Sequence, residues 1–235
     1  MSSAPDGSGQ AGATWALIVA AGAGERLGLD RPKAFATLGG RPLLAESIDR
    51  LDGCPWVDAI VIAAPAGWEE PVILLAEELA ASKVASSVTG GATRAESVRA
   101  ALEEVPKDAA VVLVHDAARP LVDDSVVERV LVPLGEGFDG VVPALPVSDT
   151  VKRVDGRVVV ETVDRAALVG AQTPQAFLAD ALRRAYSGDL EGATDCSSLV
   201  ERMGGRVAVV EGDPRLLKVT TPSDLALVES WLGTS

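Results

Sequence analysis

Aromatic side chains are scarce. Phenylalanine, tyrosine and tryptophan together make up 3% of the 235 residues, and there is a single tyrosine. Any core must therefore be built from alanine, valine and leucine. With hydrophobic residues at 48% there are enough of them for one large domain, and disorder over most of the chain is excluded. There are two cysteines, Cys54 and Cys196, far apart and outside any CxxC pair. They carry neither a disulfide framework nor a zinc site, and read as two reduced thiols in a cytosolic protein. Basic residues are in the minority, 21 against 34 acidic, for a formal net charge of −13. That balance argues against a nucleic-acid or membrane-surface binder. A phosphate ligand is compatible with it only if basic residues are gathered locally. Long apolar runs are also missing. The stretch 15–23 is too short to span a bilayer, so no transmembrane segment is expected. Residues 1–14 are small and polar without a basic start, and read as a flexible tail rather than a signal peptide.

What is present is an alternation. Short apolar runs at 16–21, 59–64, 110–115 and 140–145 read as buried strands. Between them lie helical stripes: Leu44, Ile48 and Leu51; Trp68, Val72, Leu75 and Leu79; Ala95, Val98 and Leu102; Val126, Val127, Val130, Leu131 and Leu134. Alternation of this kind implies an α/β fold, a single mostly parallel sheet with helices on both faces, over residues 15–235. The region at about 148–165 departs from it. VKRV at 151–154 and RVVVETV at 157–163 flank Asp155 and Gly156, a strong hairpin signal. A two-stranded ribbon is marginal alone, so it needs a surface to pack on, either its own domain or a second subunit. Near the end, Thr221, Pro222 and Asp224 mark the start of a last helix with a Leu225, Val228, Leu232 stripe.

In parallel sheets ligands bind beyond the carboxyl ends of the strands, so the segments that follow strands carry the chemistry. The first strand runs into AAGAGERLG at 20–28 and then RPKA at 31–34. Gly22 and Gly24 allow backbone N–H groups to approach phosphates, and Arg26 and Lys33 add positive charge. This is not a Walker loop, and Leu27 stands where a dinucleotide fingerprint needs its third glycine. Together the basic residues and the turn favour a nucleoside triphosphate over a purely structural turn. GGATRAES at 90–97 opens a helix. Its glycines would let backbone approach a base, while Thr93 is equally suited to cap the helix. VLVHDAARP at 112–120 ends an apolar strand in Asp116. Asp116 can accept from substrate hydroxyls or stand near a cation, and Arg119 can hold it or meet a phosphate. His115, the only histidine, closes the strand and reads as a buried, satisfied side chain. Arg165 and Lys218 lie beside strand-like apolar residues, where a surface ion pair is the competing reading.

Together the motifs AAGxGxR–PK, GGxxRxxS, HDAARP, SDT, TVDR, TPQ, TD and KVTTPxDL occur in order over about residues 15–232. The pattern resembles the 2-C-methyl-D-erythritol 4-phosphate cytidylyltransferases of isoprenoid precursor synthesis. Ala34 stands where that family usually has glutamine, and Cys196-Ser197 replaces its usual acidic-and-small pair. The resemblance implies that Arg26 and Lys33 bind the triphosphate and stabilise the transition state, and that Arg165 and Lys218 position the methylerythritol phosphate. It implies nucleotide contacts at Ala20, Ala21, Gly22, Gly24, Gly91, Ala92, Arg94 and Ser97, and polyol-phosphate contacts at Asp116, Arg119, Thr150, Thr173 and Thr194. It further implies Mg²⁺ held mainly by the CTP phosphates, and a homodimer formed through the hairpin arm. Two other readings remain open at this level: a ribitol-5-phosphate cytidylyltransferase, and a non-catalytic CTP-binding regulator on the same fold.

Overall fold

The computed structural model describes residues 12–22, 24, 27–28 and 30–232. Its core is an eight-stranded sheet. The first strand, β1 (Thr14–Val19), lies between β4 (Ala59–Ala64) and β6 (Val111–Asp116) and is parallel to both. β5 (Val84–Thr89) continues the parallel run beyond β4. On the other side, β11 (Gln175–Leu178) joins β6 antiparallel, and β7 (Gly140–Pro146) follows it. β7 also pairs with β10 (Val169–Ala171), antiparallel, and with β12 (Val207–Glu211), parallel. The chain winds from β1 outward through β4 to β5, then returns to the opposite side of β1 for β6. That reversal opens a crevice beyond the carboxyl ends of β1, β4 and β6.

Side chains of successive strand residues face opposite ways, and each face is covered. Ala16, Ile18, Ile60, Ile62 and Leu113 pack under α1 (Leu43–Gly53), α2 (Glu69–Glu78) and α4 (Asp124–Leu131). Leu17, Val61, Ala63, Val112 and Val114 pack under α3 (Arg94–Glu103), α5 (Ala179–Tyr186) and α6 (Cys196–Arg202). Two buried rings, Phe177 and Tyr186, lie in the cluster on the second face, and Gly140 makes room for Phe177: a Cβ there would lie 2.6 Å from the ring. A third, smaller cluster joins Leu38 and Leu43 to α7 (Pro222–Leu232), beside the short ribbon of β2 (Thr37–Leu38) and β3 (Arg41–Pro42). Thr221 accepts the Asp224 amide at 3.2 Å and Asp224 accepts back from the Thr221 amide, so that α7 begins at the boundary its sequence marks.

The hairpin forms as β8 (Val151–Asp155) and β9 (Val158–Val163), turning at Gly156 with φ +56°. It makes its own two-stranded sheet, apart from the main one. Val154, Val158, Val159 and Val160 are all exposed on it. The ribbon therefore does not fold back on its own domain.

One boundary requires correction. Thr14, expected in the tail, is the first residue of β1, paired with Val111 and donating its amide to Asp58 at 2.7 Å. A polar residue can open a strand when a side chain across the turn takes its N–H.

Candidate active site

The crevice holds a cleft of about 920 Å³. Val19, Ala20, Ala21 and Gly22 border it from the end of β1, Pro65, Ala66 and Trp68 from the end of β4, and Gly90 to Thr93 from the end of β5. Asp116 and Ala117 come from the end of β6, and Lys33 and Lys218 from the two loops that close the sides. Ten of the expected site residues meet here: Ala20, Ala21, Gly22, Lys33, Gly91, Ala92, Arg94, Ser97, Asp116 and Lys218.

The turn before α3 is built for close approach. A Cβ at Gly90 would lie 2.3 Å from that of Ala21, so only glycine lets the two loops touch. The Ser97 hydroxyl, buried, accepts from the Gly91 amide at 3.1 Å and donates to the Thr93 carbonyl at 2.9 Å. Thr93 and Glu96 form a reciprocal capping box. Thr93 thus caps the helix and also borders the cleft. Gly24 takes φ +72° and packs on Lys33, where an added Cβ would lie 2.5 Å from that of the lysine. It lies behind the cleft and backs the lysine turn at Lys33–Phe35.

At the far end Asp116 is bracketed. Its Oδ1 accepts from Arg94 Nε at 2.8 Å, its Oδ2 from Lys218 Nζ at 2.7 Å, and its amide donates to Thr173 Oγ1 at 3.0 Å. Burial alone would raise this carboxyl; Arg94 and Lys218 outweigh it and hold Asp116 well below the usual carboxylate range. His115 is fully buried between the Arg119 carbonyl at 3.0 Å and Thr173 Oγ1 at 3.3 Å. Burial pushes it down to about 4 despite Asp116, so it is a neutral, structural imidazole at physiological pH.

Other expected residues lie elsewhere. Arg119 does not border the cleft; its guanidinium donates to the carbonyls of Leu216 at 2.6 Å and Ala171 at 3.4 Å, tying the Lys218 segment to β10. Its Nε is buried without a hydrogen-bond partner. Thr173 is buried beneath Asp116, and Thr194 is exposed just before α6. Thr150 and Arg165 stand exposed at the foot of the arm, outside the cleft lining. Arg26 lies outside the described residues. Sequence reasoning passed over Asp30, Arg31, Pro65, Ala66 and Trp68, all of which border the cleft. Pro65, Ala66 and Trp68 follow directly on β4, so the end-of-strand rule applied to that strand would have found them.

A fixed cationic rim, glycine-lined backbone and a walled cleft at the switch point suit a nucleotide and a second phosphate. The family model for 2-C-methyl-D-erythritol 4-phosphate cytidylyltransferase matches residues 14–234. The chain is 49% identical over 222 residues to the enzyme of that name from Nocardia farcinica, covering 94% of each chain. It is 47% identical over 222 residues to the one from Saccharopolyspora erythraea, covering 93% of this chain and 98% of the relative. Among solved structures, the 4-diphosphocytidyl-2C-methyl-D-erythritol synthase of Anaerococcus prevotii superposes with a TM-score of 0.81 at 26% identity, over 95% of this chain and all of that one. The 2-C-methyl-D-erythritol 4-phosphate cytidylyltransferase of Thermus thermophilus superposes with a TM-score of 0.75 at 33% identity, over 92% and 98%. With the match running from the first strand to the last helix, the chain belongs to the 2-C-methyl-D-erythritol 4-phosphate cytidylyltransferase family.

Proposed function

We propose that this cleft transfers the cytidylyl group of CTP to 2-C-methyl-D-erythritol 4-phosphate, releasing pyrophosphate. The observation that carries the reading is the convergence of Arg31, Lys33, Arg94 and Lys218 on one cleft in a chain of net charge −13. The acceptor is a phosphomonoester whose second pKa is about 6, so at neutral pH its oxygen is already an anionic nucleophile. The bond that forms joins that oxygen to the α-phosphorus of CTP; the bond that breaks releases pyrophosphate. No general base is needed. The protein has to hold two anions in line and balance the charge that grows on the leaving oxygen.

Each lining group has a part in this. Gly90, Gly91, Ala92 and Ser97 present a tight backbone turn to the cytosine. The backbone of Ala20 to Gly22 approaches the phosphates. Lys33 steadies the triphosphate and the departing pyrophosphate, a part that the family resemblance gives to Arg26 as well. Lys218 meets the acceptor phosphate, with Asp116 to accept from its hydroxyls. Mg²⁺ is a hard cation that takes oxygen ligands and keeps several waters. The cleft offers it Asp30 and Asp116 as carboxylates, and both oxygens of Asp116 are already engaged by cations. Such a donor set suits an ion carried on the CTP phosphates, where it would neutralise charge.

Arg165 and Thr150 border no part of this chain's own cleft. They stand at the foot of an arm with four exposed valines. This supports a homodimer in which each arm packs on the partner and brings Arg165 to the partner's acceptor site. Among the described residues no helix is long and apolar enough to cross a membrane. A cytoplasmic location accords with that and with the two free thiols.

The test is pyrophosphate release by the purified protein with Mg²⁺ and CTP. Release with methylerythritol phosphate, and little with ribitol 5-phosphate or with UTP or ATP, is expected. CTP binding without release from either acceptor would overturn the reading.

A further inference from the structure

Behind Arg94 lies a sulfur that the reaction scheme above does not use. Cys196 is the first residue of α6 and is fully buried. Its Sγ lies 3.1 Å from the hydroxyl of Tyr186, the last residue of α5, and accepts from Arg94 Nη1 at 3.4 Å. Arg94 donates from Nε to Asp116, and its Nη2 is buried with no hydrogen-bond partner. A guanidinium is a rigid plane, so two contacts fix its orientation. For Arg94 the two are a carboxylate on β6 and a sulfur on α6.

We propose that Cys196, held by the Tyr186 hydroxyl, is a positioning residue that orients Arg94 and so fixes Asp116 at the acceptor end of the cleft. The inference rests on the reading of that end as the polyol-phosphate site. Cys196 does not border the cleft, so it acts only through Arg94. Its value as an acceptor lies in its neutrality. Burial raises the Cys196 thiol above its ordinary range even beside Arg94, and the sulfur therefore keeps its proton. A carboxylate at this position would compete with Asp116 for the guanidinium; a neutral sulfur directs Arg94 and leaves its charge to Asp116. An apolar side chain would leave Nη1 unpartnered beside the already orphaned Nη2, and Arg94 would turn to satisfy them.

Steady-state kinetics of the full chain with CTP and methylerythritol phosphate test this, with Cys196→Ala, Cys196→Ser and Tyr186→Phe. Cys196→Ala is expected to raise the KM for the polyol phosphate about tenfold, while kcat and the KM for CTP stay within about threefold. Cys196→Ser, which restores an acceptor, is expected to bring the acceptor KM back to within about threefold of wild type. Unchanged kinetics in the alanine variant would overturn the proposal. So would a loss spread equally over kcat and both KM values that serine does not restore, since that marks packing alone. If the alanine variant does not fold, Tyr186→Phe decides: a raised acceptor KM supports the proposal and an unchanged one overturns it. Failure of the wild-type protein to turn over would instead remove the functional reading beneath it.

Discussion

Asp116 and Lys218 are 102 positions apart in the chain and meet at 2.7 Å, with Arg94 on the other carboxylate oxygen at 2.8 Å. The three side chains differ in exposure, and that decides what each contributes. The Asp116 side chain is 8% exposed and that of Lys218 is 41% exposed. Asp116→Ala leaves Arg94 partly buried without its counter-charge, and should destabilise the fold by about 3–5 kcal/mol in denaturant unfolding. Lys218→Ala removes a solvent-screened partner and should cost no more than about 1 kcal/mol. The same change should lower turnover on the order of 10²–10³-fold. Equal stability losses in the two variants would show that Asp116 is not the hub.

Lys33 should behave like Lys218. Lys33→Ala is expected to lower kcat on the order of 10²–10³-fold with a melting temperature close to wild type. Gly24→Ala should reproduce part of that loss from behind. A side chain at φ +72° is strained, and its Cβ would press on the lysine. Full activity in both variants would remove Lys33 from the chemistry.

His115 makes stability depend on pH. Its folded value lies at about 4, below the ordinary 6.5, because burial favours the neutral ring. The stabilisation is therefore complete above the unfolded value and is lost as pH falls from about 6.5 to about 4, by at most about 3 kcal/mol. Asp116, held below the carboxylate range, loses its contribution only at lower pH. Unfolding curves for wild type and His115→Gln across that window should converge as the pH drops. Parallel curves would mean the histidine is not buried neutral.

The arm should control assembly. On the proposed homodimer, Val158→Lys with Val160→Lys is expected to shift sedimentation from dimer to monomer and to remove turnover, because Arg165 would no longer reach the partner's cleft. Mixing an Arg165→Ala protein with a Lys33→Ala protein should restore some activity, since mixed dimers carry one intact site. No restoration in a mixture that exchanges subunits would place Arg165 outside the partner's site.

Much of this was legible from residue order alone. The strands at 59–64 and 140–145 and the four helices appear where the apolar spacing puts them, although Trp68 and Leu79 only flank α2 and Leu134 falls in the short 3-10 turn that follows α4. The Asp155-Gly156 turn fixed the hairpin by local chemistry. The outer strands were illegible. β5 reads VASSVT, with polar residues at a sheet edge, and β11 is four residues whose strand character comes from pairing with β6 and β7. The site followed the same division. That Gly91, Lys33 and Asp116 border the cleft was legible because glycines, cations and strand ends are local signals. The bonds of Arg119 to the carbonyls of Leu216 and Ala171 were not legible, because those partners are distant in sequence and carry no side-chain signature.

In the proposed transfer the acceptor's phosphate oxygen attacks the α-phosphorus of CTP. Methylerythritol phosphate carrying ¹⁸O in its phosphate, incubated with CTP, Mg²⁺ and the protein, tests this directly by mass spectrometry of both products. All of the label is expected to stay in the cytidine-linked diphosphate, one labelled atom bridging the two phosphorus atoms, with the pyrophosphate unlabelled. Label in the pyrophosphate, or pyrophosphate without the diphosphate product, would contradict it.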